Sequence, residues 1–232
     1  MREMALHPVS FLGAISAVCL AIAAFGDTWF VKKATLSPWP GPEASDHLLK
    51  IGLDGAHMGD IHFAFHSDVC FGGCERVRAA ADTTRAVLMV SACAAVGASL
   101  LHTTKRGQGS KAELRLVVVV LAAVTIFAAS SAGYFTVACT SAVNTLQGQL
   151  HGFGPAAATP YWHGGGPPAH HHHHHHSARP GAHLLILGVG VLCCAAGTAH
   201  AVREYLDARH AEENRHSLMR GEAAIASAFM AI

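Results

Sequence analysis

The sequence predicts an all-α membrane protein, a four-transmembrane-helix bundle with a long first extracellular loop that carries a small β cap. Two observations lead to this fold class. Apolar residues make up 51% of the 232 residues and charged residues only 13%, about half the charged share of soluble domains. Four stretches contain no Asp, Glu, Lys or Arg, and they cover residues 8–26, 86–102, 116–138 and 183–202.

The length of these stretches favours helices that cross a bilayer. A hydrocarbon core about 30 Å thick requires a helix of roughly 20 residues. Lipid offers no hydrogen-bond partners, and runs without a period of two favour helices over barrel strands. The second stretch is long enough only if Arg85 and His102 lie in the headgroup zone. We therefore predict one membrane domain, residues 1–210, and a tail, residues 211–232.

The first stretch has an alternative interpretation as a cleaved signal peptide. Met1–Ala24 has an early basic residue, an apolar stretch and small residues at positions 21 and 23. Cleavage would leave three spans and an outward N-terminus. The apolar stretch is longer than the roughly 7–15 residues of a signal core, which favours a retained span.

Basic residues in short loops predict the orientation. They cluster in the connector after the second stretch and in the tail, at Lys105, Arg106, Lys111, Arg115, Arg203, Arg209, Arg215 and Arg220. We therefore expect both termini in the cytoplasm of a plasma membrane or endomembrane protein, and two long loops outside. The net charge of +1 gives no general attraction for nucleic acid.

The loops and tail carry weaker structural signals. Partial alternation over Asp60–Val69 predicts a strand, and composition favours helix from Glu75 onward. The second outer loop, residues 139–182, is rich in Gly, Pro, Ala and His, and no fixed structure is assigned to it. The tail is expected to continue the fourth helix, with Gly221 as its end.

Small residues recur at four-residue spacing within the first three stretches, at Gly13, Ala17, Ala21, Ser91, Ala95, Ser99, Ala129 and Gly133. Small residues let helices approach closely in lipid. The pattern predicts either tight packing within the bundle or a homo-oligomer contact, and an alanine-rich composition alone would also produce it.

Cys70 and Cys74 lie in the first outer loop, with Phe-Gly-Gly between them. An outward loop is exposed to oxidant, which favours a disulfide between them. The alternative is a quinone-linked disulfide-forming enzyme, but such enzymes use a two-residue spacer between their reactive cysteines. The cysteines inside apolar stretches, at positions 19, 93, 193 and 194, are interpreted as small packing residues.

Histidines are concentrated in both outer loops and are the candidate metal ligands. One group is His62 with His66, and the other is an unbroken run of His170, His171, His172, His173, His174, His175 and His176. Imidazole binds zinc and similar divalent ions, so weak zinc binding is predicted. For the first group, solvated loop histidines are the favoured interpretation and a metal site is the alternative. The run is either a natural low-complexity segment, which its position between two spans favours, or an inserted purification tag.

Catalytic signatures are missing from the sequence. It contains no P-loop, no G-x-S-x-G and no dinucleotide fingerprint, and the spans lack the charged groups that coupled transporters require. We therefore expect no enzymatic activity and no cofactor besides such a metal. The predicted function is a membrane protein that organises contacts, as a homo-oligomer or as a subunit of a larger membrane assembly. The alternative is a metal-binding or ion-conducting membrane protein that uses the histidine-rich loops.

Three features carry a resemblance to a known group. Trp29 follows the first span, paired cysteines stand in the first outer loop, and the segment Arg76–Ser91 is a basic approach to the second span. This layout resembles the claudin-like tetraspan proteins, and the same segment is similar to amastins. The resemblance implies a four-span surface protein. Trp29 and Arg85 are expected at the membrane interface.

Overall fold

The computed structural model describes residues 7–35, 46–58, 61–64, 74–104, 111–152 and 179–230. The described residues form four helices and five strands. The helices are α1 (Pro8–Ala24), α2 (Cys74–Thr104), α3 (Lys111–Gly152) and α4 (Ala182–Met230), and the strands are β1 (Phe30–Thr35), β2 (Asp46–Ile51), β3 (Gly55–Met58), β4 (Ile61–Ala64) and β5 (Arg179–Pro180).

Three helical segments are long and apolar enough to cross a membrane: Glu75–Thr104, Lys111–Ser141 and Ala182–Gly221. The fourth apolar helix, α1, has 17 residues and is shorter than these. The described chain is therefore mostly helical, with three helices of membrane-spanning length.

Two helices extend further than the sequence predicts. The prediction that residues 139–152 lack fixed structure is wrong, because α3 continues to Gly152. No proline interrupts this segment, and the Thr140 hydroxyl bonds to the carbonyl of Thr136 one turn earlier. The prediction that Gly221 ends the last helix is also wrong, because α4 continues to Met230. A single glycine costs a helix only about 1 kcal/mol relative to alanine, and the surrounding residues are good helix formers.

The predicted β cap is present as a five-stranded antiparallel sheet. Its order is β4-β3-β2-β1-β5. The strand predicted from Asp60 onward forms over Ile61–Ala64 and pairs with β3. At the opposite edge of the sheet, β5 pairs with β1, and Val31 lies opposite Arg179. Both predicted outer loops therefore contribute to one sheet.

The chain divides into two compact units, and each helix contributes residues to both. Unit 1 comprises Met1–Ala21, Met89–Ala128 and Gly188–Ile232. Unit 2 comprises Ile22–Leu88 and Ala129–Leu187.

Small residues let the helices of unit 1 approach closely. A Cβ atom added at Gly13 of α1 would collide with the Ser99 hydroxyl of α2, and one at Gly190 of α4 would lie 2.8 Å from the Cβ of Cys19. The Cys194 thiol reaches the carbonyl of Leu121 on α3 at 3.3 Å. Of the small residues predicted in α1 and α2, Gly13 and Ser99 therefore lie where the two helices meet.

The two small residues of the same pattern on α3 are in a different environment. Ala129 and Gly133 belong to unit 2 and are exposed. Apart from the neighbouring turns of α3 itself, no atom of the described residues lies within 4 Å of a Cβ placed at Gly133. These two positions leave an open strip on α3.

Trp29 is at the centre of unit 2, where the chain passes from α1 to β1. Its side chain is fully buried, and its ring meets Phe135 edge-on with centroids 5.2 Å apart. The indole Nε1–H donates to the carbonyl of Ala23 at 3.1 Å. Trp29 therefore joins the end of α1 to the sheet and to α3.

We expect Trp29→Ala to destabilise the protein by about 3–5 kcal/mol, the usual cost of removing a buried tryptophan. Trp29→Phe should cost less, since it keeps most of the ring packing and loses a hydrogen bond worth about 1 kcal/mol. Unfolding in mixed micelles with increasing denaturing detergent measures the difference. The control is Phe25→Ala, at a side chain that is 68% exposed; an equal loss in both alanine variants would contradict this role.

Candidate functional site

His7 just before α1, His102 of α2 and Glu204 of α4 meet in unit 1. The Nε2 atom of His7 lies 3.0 Å from Glu204 Oε1, and the Nε2 atom of His102 lies 3.0 Å from Glu204 Oε2. The imidazole centroids are 4.5 Å apart. One ligand atom from each residue lies within 4.8 Å of the other two. Two imidazoles therefore share a single carboxylate, and we call this group the His–Glu cluster.

The ends of the helices position the cluster. His7 precedes α1, and its carbonyl accepts a hydrogen bond from the Phe11 amide at 3.0 Å, so it occupies the N-cap position. Pro8 follows at the first helical position, where its fixed φ suits a helix start. His102 lies in the last turn of α2, and Glu204 lies on α4 where the charge-free run ends.

Ser10 contacts His102, the more buried of the two histidines, at its second ring nitrogen. Ser10 Oγ lies 3.2 Å from His102 Nδ1 and 3.3 Å from the carbonyl of Ser99. A hydroxyl carries one proton, so it can donate to the imidazole or, when it accepts from the imidazole, donate to the carbonyl. Ser10 therefore accommodates either tautomer of His102.

The cluster is partly buried. The His102 side chain is 9% exposed, that of His7 23% and that of Glu204 34%. Within the described ranges it is the one group of three His, Cys, Asp or Glu side chains close enough to hold a metal ion together. Imidazole nitrogens and a carboxylate can bind a proton or a divalent metal.

Arg85 forms the corresponding polar junction of unit 2. Its Nε–H donates to the carbonyl of Ala24 at 3.2 Å, and its guanidinium pairs with Asp54. Ala24 is the last residue of α1, and a basic side chain at a helix C-terminus satisfies carbonyls that lack an intrahelical partner. The side chain is 29% exposed. The positions of Arg85 and Trp29 at a membrane interface stay predictions.

Asp27 lies beside the start of α4. The hydrogen bond from the Thr28 hydroxyl, 3.0 Å long, has the largest effect and lowers the pKa of Asp27. Burial opposes it, while a backbone hydrogen bond and, to a smaller extent, nearby His183 lower the pKa further. Because the folded-state pKa is lowered, the carboxylate stabilises the fold above its unfolded-state pKa. This contribution is lost as pH falls through the folded-state value.

Most of the predicted metal ligands are not among the described residues. His66 and the run His170–His176 fall outside the described residues. His62 is in β4, where its backbone is opposite His57 of β3. Zinc binding by these histidines stays a prediction.

The predicted disulfide also stays a prediction, because Cys70 lies outside the described residues and Cys74 is described only as the first residue of α2. Five cysteines of the described segments are free thiols: Cys19, Cys93, Cys139, Cys193 and Cys194. Cys194 is fully buried between α4 and α3, and Cys93 is exposed.

Sequence reasoning did not identify the His–Glu cluster as a site. Its members are far apart in the chain and match no metal-binding spacing. One signal was present: His7, His102 and Glu204 each stand at the boundary of a charge-free run. Polar residues at three such boundaries can meet when the boundaries lie at the same end of packed helices.

Comparison with known proteins does not identify a relative. No protein-family model matches the chain, and no curated protein is similar to it.

We expect Arg85→Ala to destabilise the protein by about 1–2 kcal/mol, because it leaves the terminal carbonyl of α1 without this donor. Asp54→Asn should cost less than about 1 kcal/mol, since Asp54 is half exposed and exposed ion pairs are weak. The matched control is Arg78→Ala, whose partner Asp82 is 3.9 Å away on the same exposed face. Detergent-induced unfolding ranks the three variants; equal costs for Arg85→Ala and Arg78→Ala would exclude the capping role.

Proposed function

We propose that the chain is a non-enzymatic membrane protein with four spans that organises contacts at a membrane surface, with copies of itself or within a larger membrane assembly. One observation carries the proposal: all four helices present large apolar side chains outward. Val18 of α1 is 58% exposed, and Val90, Val137 and Leu192 of the other helices are 69–70% exposed.

The stability of this arrangement depends on whether water or lipid surrounds these side chains. Leaving a large aliphatic side chain in water instead of burying it costs about 1.5–3 kcal/mol. In lipid this cost disappears, while the interior contacts can be made by small and polar residues. Ser10, Ser16, Ser91 and Ser99 are buried within unit 1. This distribution supports a lipid environment for α1 as well as for the three longer helices.

The contacts of each unit support the proposed arrangement of loops. In unit 1, His7 and His102 meet Glu204, and Lys111 pairs with Glu212. These contacts support a common side for the N-terminal segment, the basic connector and the tail, and we propose that it is the cytoplasmic side of a plasma membrane or endomembrane. In unit 2, the sheet joins strands from both proposed outer loops. The proposed claudin-like or amastin-like relationship implies the same order of segments.

Labelling with a membrane-impermeant maleimide tests this arrangement. On a background without native cysteines, we expect Lys105→Cys and Arg215→Cys to react only after intact cells are permeabilised. Ala158→Cys should react before permeabilisation if the protein is in the plasma membrane, and only after the internal membranes are also opened if it is in an endomembrane. Reaction of positions 105 and 215 from opposite sides would contradict the proposal.

Self-association is expected to use the open strip on α3. Gly133→Leu should shift the protein in mild detergent from an oligomer to a monomer, because a larger side chain prevents close helix approach. The matched control is Gly188→Leu on α4, where a Cβ also meets no atom within 4 Å. Native mass measurement reports the state. A monomeric parent protein, or equal effects of both substitutions, would exclude this contact.

A further inference from the structure

We propose that the His–Glu cluster binds one divalent transition-metal ion, with zinc as the ion that fits best. The site is separate from the histidine-rich outer loops. It would fasten the segment before α1 to the end of α2 and to α4.

The ligand set has the composition of a zinc site. Two imidazole nitrogens and one carboxylate supply three protein ligands and leave one coordination position for water. Imidazole favours zinc, copper and nickel, whereas magnesium and calcium prefer sites made of oxygen ligands. The ligands are His7 just before α1, His102 of α2 and Glu204 of α4.

The spacing fits a small ion. With bond lengths of about 2.0–2.1 Å, neighbouring ligand atoms of a tetrahedral zinc site lie about 3.3 Å apart. The two separations between imidazole Nε2 and carboxylate oxygen are both 3.0 Å. The two oxygens belong to one carboxylate, and one ligand atom from each residue lies within 4.8 Å of the other two. An ion that binds both imidazoles and one carboxylate oxygen would therefore require the ligand atoms to move closer by at most about 1.5 Å.

Ser10 supplies the proton arrangement that metal binding by His102 requires, and His7 Nε2 must likewise be free of its proton to bind the ion. Without metal, His102 Nε2–H donates to Glu204, and the Ser10 hydroxyl can donate to Nδ1. With metal, Nε2 must give up its proton and bind through its lone pair. The imidazole then carries its proton on Nδ1 and donates it to Ser10 Oγ, which turns its own proton to the Ser99 carbonyl. Both partners of the hydroxyl are already within 3.3 Å.

The test uses the full chain in detergent, with serine at each of positions 170–176 to remove the histidine run. Calorimetry with Zn²⁺ and visible absorption with Co²⁺ measure affinity, stoichiometry and coordination geometry. We expect one tightly bound ion per chain and the strong absorption of tetrahedral Co²⁺. His102→Gln and Glu204→Gln should abolish both signals. Ser10→Ala, which keeps all three ligands, should weaken binding by about 10–100-fold, as loss of an outer partner usually does.

The matched control is His216→Gln. His216 also faces a glutamate on α4, with Nε2 3.9 Å from Glu212 Oε1, but it is 66% exposed. Binding should be unchanged in this variant. If the serine-substituted protein binds no ion tightly, or if its ion persists in both His102→Gln and Glu204→Gln, the assignment is overturned. The first of these outcomes is measured on the protein that keeps all three ligands. Misfolding of a ligand variant therefore cannot affect that measurement.

Discussion

Hydrocarbon cannot form hydrogen bonds, and in the proposed membrane protein this constraint governs the structure. Every polar group on a span must find its partner within the protein. Threonines of α3 and α4 meet the constraint locally, since the hydroxyls of Thr125, Thr136 and Thr198 each donate to the carbonyl one turn earlier. Thr84 instead donates from α2 to the carbonyl of Ser131 on α3 at 3.0 Å. Among the described residues, the buried Ser16 hydroxyl is an exception without such a partner.

The same constraint explains why charged groups gather at the ends of the apolar runs. Glu204 meets two imidazoles, and Arg85 meets both a carboxylate and the last carbonyl of α1. Each group replaces hydration with specific partners where the chain leaves the apolar segment. These junctions also join segments that are distant in sequence, so they contribute to holding each unit together.

Much of the fold follows from composition alone. Charge-free runs predict the helices because the signal, an apolar stretch of about 20 residues, is local. The strand at Ile61–Ala64 was also predictable, since alternation is local as well. The pairing of β5 with β1 was not, because a two-residue strand carries no periodicity. The ends of α3 and α4 lie beyond the predicted ends. The Gly, Pro, Ala and His content of the second loop and the single glycine at position 221 indicate a helix end, but no proline interrupts either helix there.

The candidate site was harder to predict than the helices. A cluster such as His7, His102 and Glu204 depends on which helix ends meet, and a single sequence contains no direct record of that pairing. The histidine run is prominent in the sequence because of its density, which is a property of composition. The cluster instead consists of residues that are isolated in the sequence. A binding site requires side chains that converge on one point, and a high density of one residue type does not ensure this.

Accessibility of nitroxide labels is the most direct test of a lipid environment for all four helices. With single labels at Val18 of α1 and Val137 of α3, both exposed and apolar, the account predicts frequent collision with oxygen and protection from a water-soluble nickel chelate. A label at Leu218 in the polar part of α4 should show the opposite pattern. If Val18 behaves like Leu218 in lipid vesicles, α1 does not cross the membrane and the four-span account is wrong.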